Sequence, residues 1–430
     1  KMRAATRLAA LLAAVSLLFA AGCESAAPPP AEPTPEAETP VAEAGESSTP
    51  SETPAEPAPT PEPAPEPPPP LEATLVAIGD VMMHKPMVPG AFDEATGTYD
   101  FSGFFAPLRD VFESADWAVA NLETPIAGDE RGFPGYPMFN APVGLADALA
   151  EAGFDVVSTA NNHSLDQRFS GLAATLRTLR ERGIVPVGTA ETQEEADAVN
   201  IVGKKGVAGA LLSYTYGTNG IPIPKDKPFA VNLIDETKIA ADIAKARTAG
   251  ADFVAVSLHF GNEYQREPSD EQRRVARHTI ESGADLVIGH HPHVVQPYER
   301  YRVDNPDGTS REGLIMYSLG NFVSNQFGDY KEYGAVLKVT FRKTHQADGA
   351  AVTTLTEIDA IPTWVHKYVD GGKTRYRVLS LDEITLESGD PLLTPRMIST
   401  LVAKSEEMNR HLDKLTVAVG GGQAPDASKE

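Results

Sequence analysis

The sequence predicts a layered α/β fold with buried sheets. Short, almost wholly apolar runs alternate with segments of helical periodicity, the pattern of strands covered on both faces. Turn-forming residues close each run. Five of the runs also end in a residue able to ligate a metal, at the carboxyl end of the strand where open α/β sheets bind their ligands.

Taken in order, the chain begins with a segment that reads as a leader rather than as part of a fold. Lys1, Arg3 and Arg7 are followed by an apolar stretch from Leu8 to Ala20, too short to span a bilayer comfortably. Phe19-Ala20-Ala21-Gly22-Cys23 looks like a bacterial lipobox, which predicts cleavage after residues 1–22 and lipidation of Cys23. An ordinary secretory signal is the alternative. Cys23 is the only cysteine, so the rest of the chain has no disulfide and no thiol ligand or nucleophile. Residues 23–70 hold nearly half of the 36 prolines and no Lys or Arg. Such a segment cannot bury a core and reads as a disordered Pro/Ala/Glu-rich tether, reaching on the order of 100 Å. A binding motif of its own is the less common reading. The net charge of −23 and the lack of a basic run argue against nucleic-acid binding.

The predicted fold starts at Leu71. Leu75-Val76-Ala77-Ile78 closes at Gly79-Asp80, and Trp117-Ala118-Val119-Ala120 closes at Asn121-Leu122-Glu123. Residues 155–159 close at Ala160-Asn161-Asn162-His163, 253–258 at His259-Phe260-Gly261, and 285–288 at Gly289-His290-His291-Pro292-His293. Helical patterns occupy 144–152, 171–182, 236–248 and 270–282. Residues 71–330 form the predicted core. The segment 331–390 is β-rich, with alternation over 333–341, 353–358 and 374–379, and is expected to complete a second sheet. Residues 391–430 give an amphipathic helix and a disordered tail.

Together the strand-end residues Asp80, Glu123, Asn162, His259, His291 and His293 offer carboxylate, amide and imidazole ligands. That mixture suits divalent first-row metals, with Zn, Mn and Fe all compatible. Glu123 has the chemistry to bridge two ions about 4 Å apart, an arrangement suited to phosphoester hydrolysis.

These residues sit in motifs that resemble the capsule-synthesis CapA family, also called the poly-γ-glutamate synthesis and export family. The matching segments are Gly79-Asp80-Val81-Met82, Asn121-Leu122-Glu123-Thr124-Pro125, Ala160-Asn161-Asn162-His163-Ser164-Leu165-Asp166 and Ser257-Leu258-His259-Phe260-Gly261-Asn262-Glu263-Tyr264. They continue with 283–294, which contains the histidine triplet, and Tyr317-Ser318-Leu319-Gly320-Asn321-Phe322. That family is similar in turn to the calcineurin-like metallophosphoesterases. The resemblance implies a four-layer α/β/β/α sandwich of the metallophosphoesterase type. It implies Asp80, Glu123, Asn162, His259, His291 and His293 as ligands of paired divalent metals, and His163 as the catalytic acid toward the leaving group. Two departures stand out. Met82 replaces the histidine of the usual Asp-x-His, for which His84 is a substitute, and Glu123 stands where a bridging Asp is usual.

His84 and His290 are candidates for a ligand or for a neighbour that orients one, and Asp166 for orienting His163 or capping a helix. Glu263 and Arg266 are candidate substrate contacts, against the commoner role of solvated loop charges. Asn321 reads as structural, and His278, His345, His366 and His411 read as surface residues. The expected activity is metal-dependent hydrolysis of a phosphoester or related bond in an envelope polymer such as poly-γ-glutamate. The rival is a non-catalytic assembly factor that binds such an anionic polymer through metals. Polymer synthase or export components are the expected partners, with the membrane held through Cys23. The expected location is the cell envelope, on the periplasmic side of the outer membrane or on the cell surface.

Overall fold

The structure, a computed structural model, describes residues 67–346, 349–387 and 389–415. The expected leader, the lipidation at Cys23, the linker up to residue 66 and the tail after residue 415 lie outside the described residues. Along the chain come β1 (Leu71–Val81), α1 (Val88–Ala91), β2 (Phe92–Asp93), β3 (Thr98–Tyr99), α2 (Arg109–Glu113) and β4 (Trp117–Leu122). Next are α3 (Gly144–Glu151), β5 (Val156–Ser158), α4 (Arg168–Arg180), β6 (Val185–Val187), α5 (Gln193–Asp197), β7 (Ile201–Lys204) and β8 (Val207–Thr215). Then follow α6 (Glu236–Thr248), β9 (Phe253–His259), α7 (Asp270–Glu281), β10 (Leu286–His290), β11 (Val295–Asp304) and β12 (Ser310–Leu319). The last are β13 (Asn321–Val323), β14 (Tyr333–His345), β15 (Ala351–Asp370), β16 (Lys373–Ser380) and α8 (Pro395–Leu412).

The strands form two main sheets. One has the order β16-β15-β14-β1-β4-β5-β6, with β13 paired to the end of β1. The other has the order β11-β12-β10-β9-β8-β7. Side-chain alternation explains how they stack. On β1, Ala73, Leu75 and Ala77 meet Phe253, Ala255, Leu286 and Ile288 of the second sheet in one apolar layer. Val76 and Ile78 face the other way, onto Phe112 of α2 and Leu145 and Leu149 of α3. Val254, Val256 and Val287 likewise turn outward onto Ile239 and Ile243 of α6 and Val275 and Ile280 of α7. The layers therefore run helix, sheet, sheet, helix, and the predicted four-layer arrangement is present.

Several helices begin where the chain supplies a cap. Asp235 accepts from the Lys238 amide at α6, and Thr394 accepts from the Met397 amide at α8. Ser269 and Gln272 form a reciprocal capping box on α7, which fixes where the loop after β9 must end.

The segment 331–390 departs from its expected place. Its strands β14, β15 and β16 extend the sheet that contains β1, with β14 antiparallel to β1 from Leu71↔Lys343 to Ile78↔Val336. The second sheet is completed instead by β7, β8, β11 and β12, whose alternation was hidden by short or charged runs. His366 is also not a surface residue. It is 2% exposed, lies between the rings of Trp364 and Tyr368, and accepts from Arg377 Nε at 3.1 Å. His411 is half-buried, with Nε2 3.1 Å from the Val295 carbonyl. Both were placed by packing between distant strands and a helix, which spacing along the chain does not encode.

Candidate metal centre

Two glycines let the strand ends converge. A Cβ at Gly79 would stand 2.0 Å from the Gly320 carbonyl oxygen, and one at Gly289 would stand 2.0 Å from that of Tyr317. Only glycine permits those approaches, and each is followed directly by residues of the centre. Asp80 and Asn321 are then paired across β1 and β13, while His259 and His290 are paired across β9 and β10.

Asp80, Glu123, Asn162, His163, His259, His290, His291 and His293 are all buried. Two triads, Asp80–Glu123–His293 and Glu123–His259–His291, each bring one ligand atom per residue within 4.8 Å of the others. Glu123 belongs to both. Its Oε1 lies 3.5 Å from His259 Nε2 and 3.6 Å from His293 Nε2. Asn162 Oδ1 approaches His259 Nε2 at 3.0 Å, which places the amide at the second triad.

The surrounding polar groups orient these ligands. His293 Nδ1 lies 3.1 Å from both Asp80 Oδ2 and Asn321 Oδ1. A proton on Nδ1 satisfies those two acceptors and leaves the Nε2 lone pair directed to the Glu123 side. Asn121 donates to Asp80 Oδ1 at 2.9 Å, and Asn161 donates to the Leu122 carbonyl at 2.7 Å. His291 and His293 have φ of 97° and 58°, in the left-handed region where non-glycine residues are costly. The strain turns both rings inward from one short loop.

The electrostatics fit bound cations. Both Glu123 carboxylate oxygens are buried without a hydrogen-bond partner, as is His291 Nδ1. Burial, followed by the Asp80 charge, pushes the Glu123 carboxyl well above its usual range. Burial also works to raise Asp80, but His290 and His293 beside it hold that carboxyl well below its usual range. The imidazoles of His259 and His291 are pushed down by burial first and then by neighbouring histidines, His291 to about 3. Neutral imidazoles, an ionised Asp80 and an unpartnered carboxylate at the centre make a donor set that a divalent cation would satisfy.

The remaining candidates divide. His163 Nδ1 lies 2.8 Å from Asp166 Oδ2, and Phe139 packs edge-on against its ring at 4.8 Å. Asp166 also accepts from the Phe139 amide at 2.8 Å, so it orients His163. His290 Nδ1 lies 3.4 Å from Asp80 Oδ1 and flanks the first triad without belonging to either. His84 Nδ1 accepts from the Asn325 amide at 3.3 Å, and burial lowers its imidazole to about 4. It joins none of the ligand groups found among the described residues. Glu263 is exposed but forms a third group with His291 and His293. Arg266, a candidate substrate contact or solvated loop charge, makes contacts within the protein. Its guanidinium stacks 3.7 Å from the Tyr330 ring and reaches Glu407 Oε1 of α8 at 3.3 Å.

Two nearby residues gave no signal in the sequence. Tyr216 lies 4.7 Å from the His291 ring, and Asn219 Nδ2 is 3.5 Å from His163 Nε2. Both follow β8, a strand whose end carries no ligand-type residue.

The chain shows clear similarity to known proteins. The model of the bacterial capsule synthesis protein PGA_cap matches residues 74–326. Capsule biosynthesis protein CapA of Bacillus anthracis is 28% identical over 263 residues, which cover 59% of this chain and 60% of that protein. PGA biosynthesis protein CapA of Bacillus subtilis is 28% identical over 325 residues, covering 71% of this chain and 77% of that one. Among solved structures, calcineurin-like phosphoesterase YfkN of Bacillus subtilis aligns at 14% identity and a TM-score of 0.39, over 79% of this chain and 98% of that one. The architecture itself rests on the layers described above. With its motifs gathered where the strand ends of both sheets converge and the match spanning residues 74–326, this chain belongs to the bacterial capsule synthesis protein family PGA_cap.

Proposed function

We propose that this protein is a divalent-metal-dependent hydrolase of phosphoester-type or related bonds, acting in the synthesis, export or anchoring of a capsule polymer. One observation supports the reading above all. Glu123 lies between two ligand triads with both oxygens buried and unpartnered, the position of a residue shared by two cations.

Asp80 and His293 would hold one ion; His259, His291 and Asn162 would hold the other, with Glu123 common to both. Mn, Zn and Fe suit that donor set. Ions bound there supply Lewis-acid activation of water and of the substrate oxygens. The chain's own residues do the rest. Asn121 and Asn321 fix the ligands' orientation through the contacts to Asp80 and His293. His163, held through Nδ1 by Asp166, presents Nε2 as the proton donor to a leaving oxygen.

The relatives named for capsule and PGA biosynthesis support a substrate in an envelope polymer such as poly-γ-glutamate or its precursors. Anchoring through lipidated Cys23, with residues 23–70 as tether, would place the domain at the cell envelope beside polymer synthase or export components.

Metal analysis and turnover of a chromogenic phosphodiester, repeated with His163→Ala and His291→Ala, test the reading. Stoichiometric metal and turnover that falls in both variants are expected. A wild type without stoichiometric transition metal sinks it. Metal binding without turnover of any phosphoester or γ-glutamyl substrate favours the non-catalytic polymer-binding role.

A further inference from the structure

The four exposed aromatic side chains among the described residues are Tyr136, Tyr216, Tyr264 and Phe327. They come from four separate loops, and the three tyrosines reach the metal centre directly or through one intervening side chain. Tyr216 stacks against His259 and tilts against His291, at centroid distances of 6.3 and 4.7 Å. The Tyr264 ring lies 6.1 Å from that of His293. Tyr136 packs against Phe139 at 6.3 Å, and Phe139 touches His163 and His84. Phe327 sits in the loop where the Asn325 amide donates to His84 and Gln326 accepts from Asn321.

Exposed aromatic rings are expected singly and scattered when they serve no purpose. Here the three tyrosines gather around one centre. Tyr264 is also held at φ 65° by its amide, which donates to the Pro292 carbonyl at 2.7 Å. That conformation is unfavourable for a bulky residue, and it persists because the His291–His293 loop fixes it. Lys331 lies 5.0 Å from the Tyr264 centroid and Lys367 lies 5.4 Å from that of Phe327, so cations flank the rings.

Resting on the hydrolase reading, we infer that Tyr136, Tyr216 and Tyr264 form an aromatic rim that selects phosphoesters whose organic part carries a ring. Rings stack on aromatic faces, and a phosphate directed to the centre would leave its organic part at this rim. The shared chemistry is a flat or puckered ring beyond the phosphate, in a sugar or a nucleobase.

Four primary-alcohol phosphates separate these cases with one phosphate chemistry throughout: glycerol 3-phosphate, ribose 5-phosphate, glucose 6-phosphate and adenosine 5′-phosphate. Binding to the Mn²⁺-loaded full chain is measured by calorimetry, with turnover followed separately on a chromogenic phosphodiester. Each stacked ring is worth about 1–3 kcal/mol, so ring-bearing ligands should bind about five- to hundred-fold more tightly than glycerol 3-phosphate. Tyr264→Ala should cut that ratio at least about five-fold, and Tyr264→Phe should retain it. Tyr136→Ala, at a side chain 79% exposed, repeats the test without threatening the fold. A preference only for adenosine 5′-phosphate identifies a nucleobase, and one extending to glucose 6-phosphate a sugar. Equal affinities, a ratio unmoved by both alanine variants, or no binding of any of the four overturns the rim. Turnover that persists in that case leaves the hydrolase reading standing, while ring preference without turnover removes the hydrolase reading alone.

Discussion

His163 and Asp166 form a buried pair, Nδ1 to Oδ2 at 2.8 Å, and the same carboxylate oxygen accepts the Phe139 amide. The pairing keeps Nδ1 protonated, so the proton passed to a leaving oxygen is a second one, carried on Nε2 of the doubly protonated ring. His163→Ala is expected to lower kcat about a hundred-fold, in the range for a lost general acid. Asp166→Asn should lower it about ten-fold with KM little changed, since the ring stays but its tautomer is no longer enforced. Steady-state kinetics on a chromogenic phosphodiester check both, and a KM effect without a kcat effect would contradict the assignment.

Glu123 is shared by the two ligand triads, and its carboxylate oxygens have no hydrogen-bond partner. Glu123→Gln should weaken Mn²⁺ binding about ten- to a hundred-fold. Cation binding to the folded state alone stabilises it by about 2.7 kcal/mol at a hundred times Kd. The wild-type Tm should therefore rise on adding Mn²⁺ and fall back with chelator, while the variant responds weakly. Calorimetric titration and thermal melts read the two quantities.

Gly79 tolerates no side chain, because a Cβ there would lie 2.0 Å from the Gly320 carbonyl oxygen. Gly79→Ala should destabilise the domain by about 3 kcal/mol, at the upper end for overpacking. Urea denaturation measures the loss, and a change below about 0.5 kcal/mol would mean that β1 and the turn before β13 separate freely.

Glu407 on α8 answers to pH. Partial burial works to raise its carboxyl, but Lys404 and the Tyr330 hydroxyl outweigh it and bring the value down to about 2. A depressed carboxyl contributes stability that is present above the unfolded value of about 4.3 and is lost as pH falls toward 2. The side chain is 35% exposed, so screening limits the contribution to about 1 kcal/mol or less. Glu407→Gln should thus be less stable than wild type at pH 7 and equal to it near pH 2. Parallel denaturation curves at both pH values decide the matter.

The amino-acid sequence by itself determined the α/β class, the family motifs and the order of the strand-end residues. Local chemistry suffices for these. An apolar run, a glycine and a ligand-type residue at a strand end lie within a few positions of one another, as in Gly79-Asp80 and Gly289-His290-His291. Helix limits were equally legible, with 236–248 and 270–282 set by caps and periodicity. Tertiary structure decided the rest, because the contacts join residues far apart in the chain. Asp80 meets His293 across 213 positions, and Asn162 meets His259 across 97. The central place of Glu123, the pairing of His84 with the Asn325 amide, the contact of Arg266 with α8 and the burial of His366 all follow from tertiary packing. So does the choice of sheet for β14 to β16. Alternation marks a strand but not its neighbour; pairing is settled by which edges and apolar faces remain to be covered once the core closes.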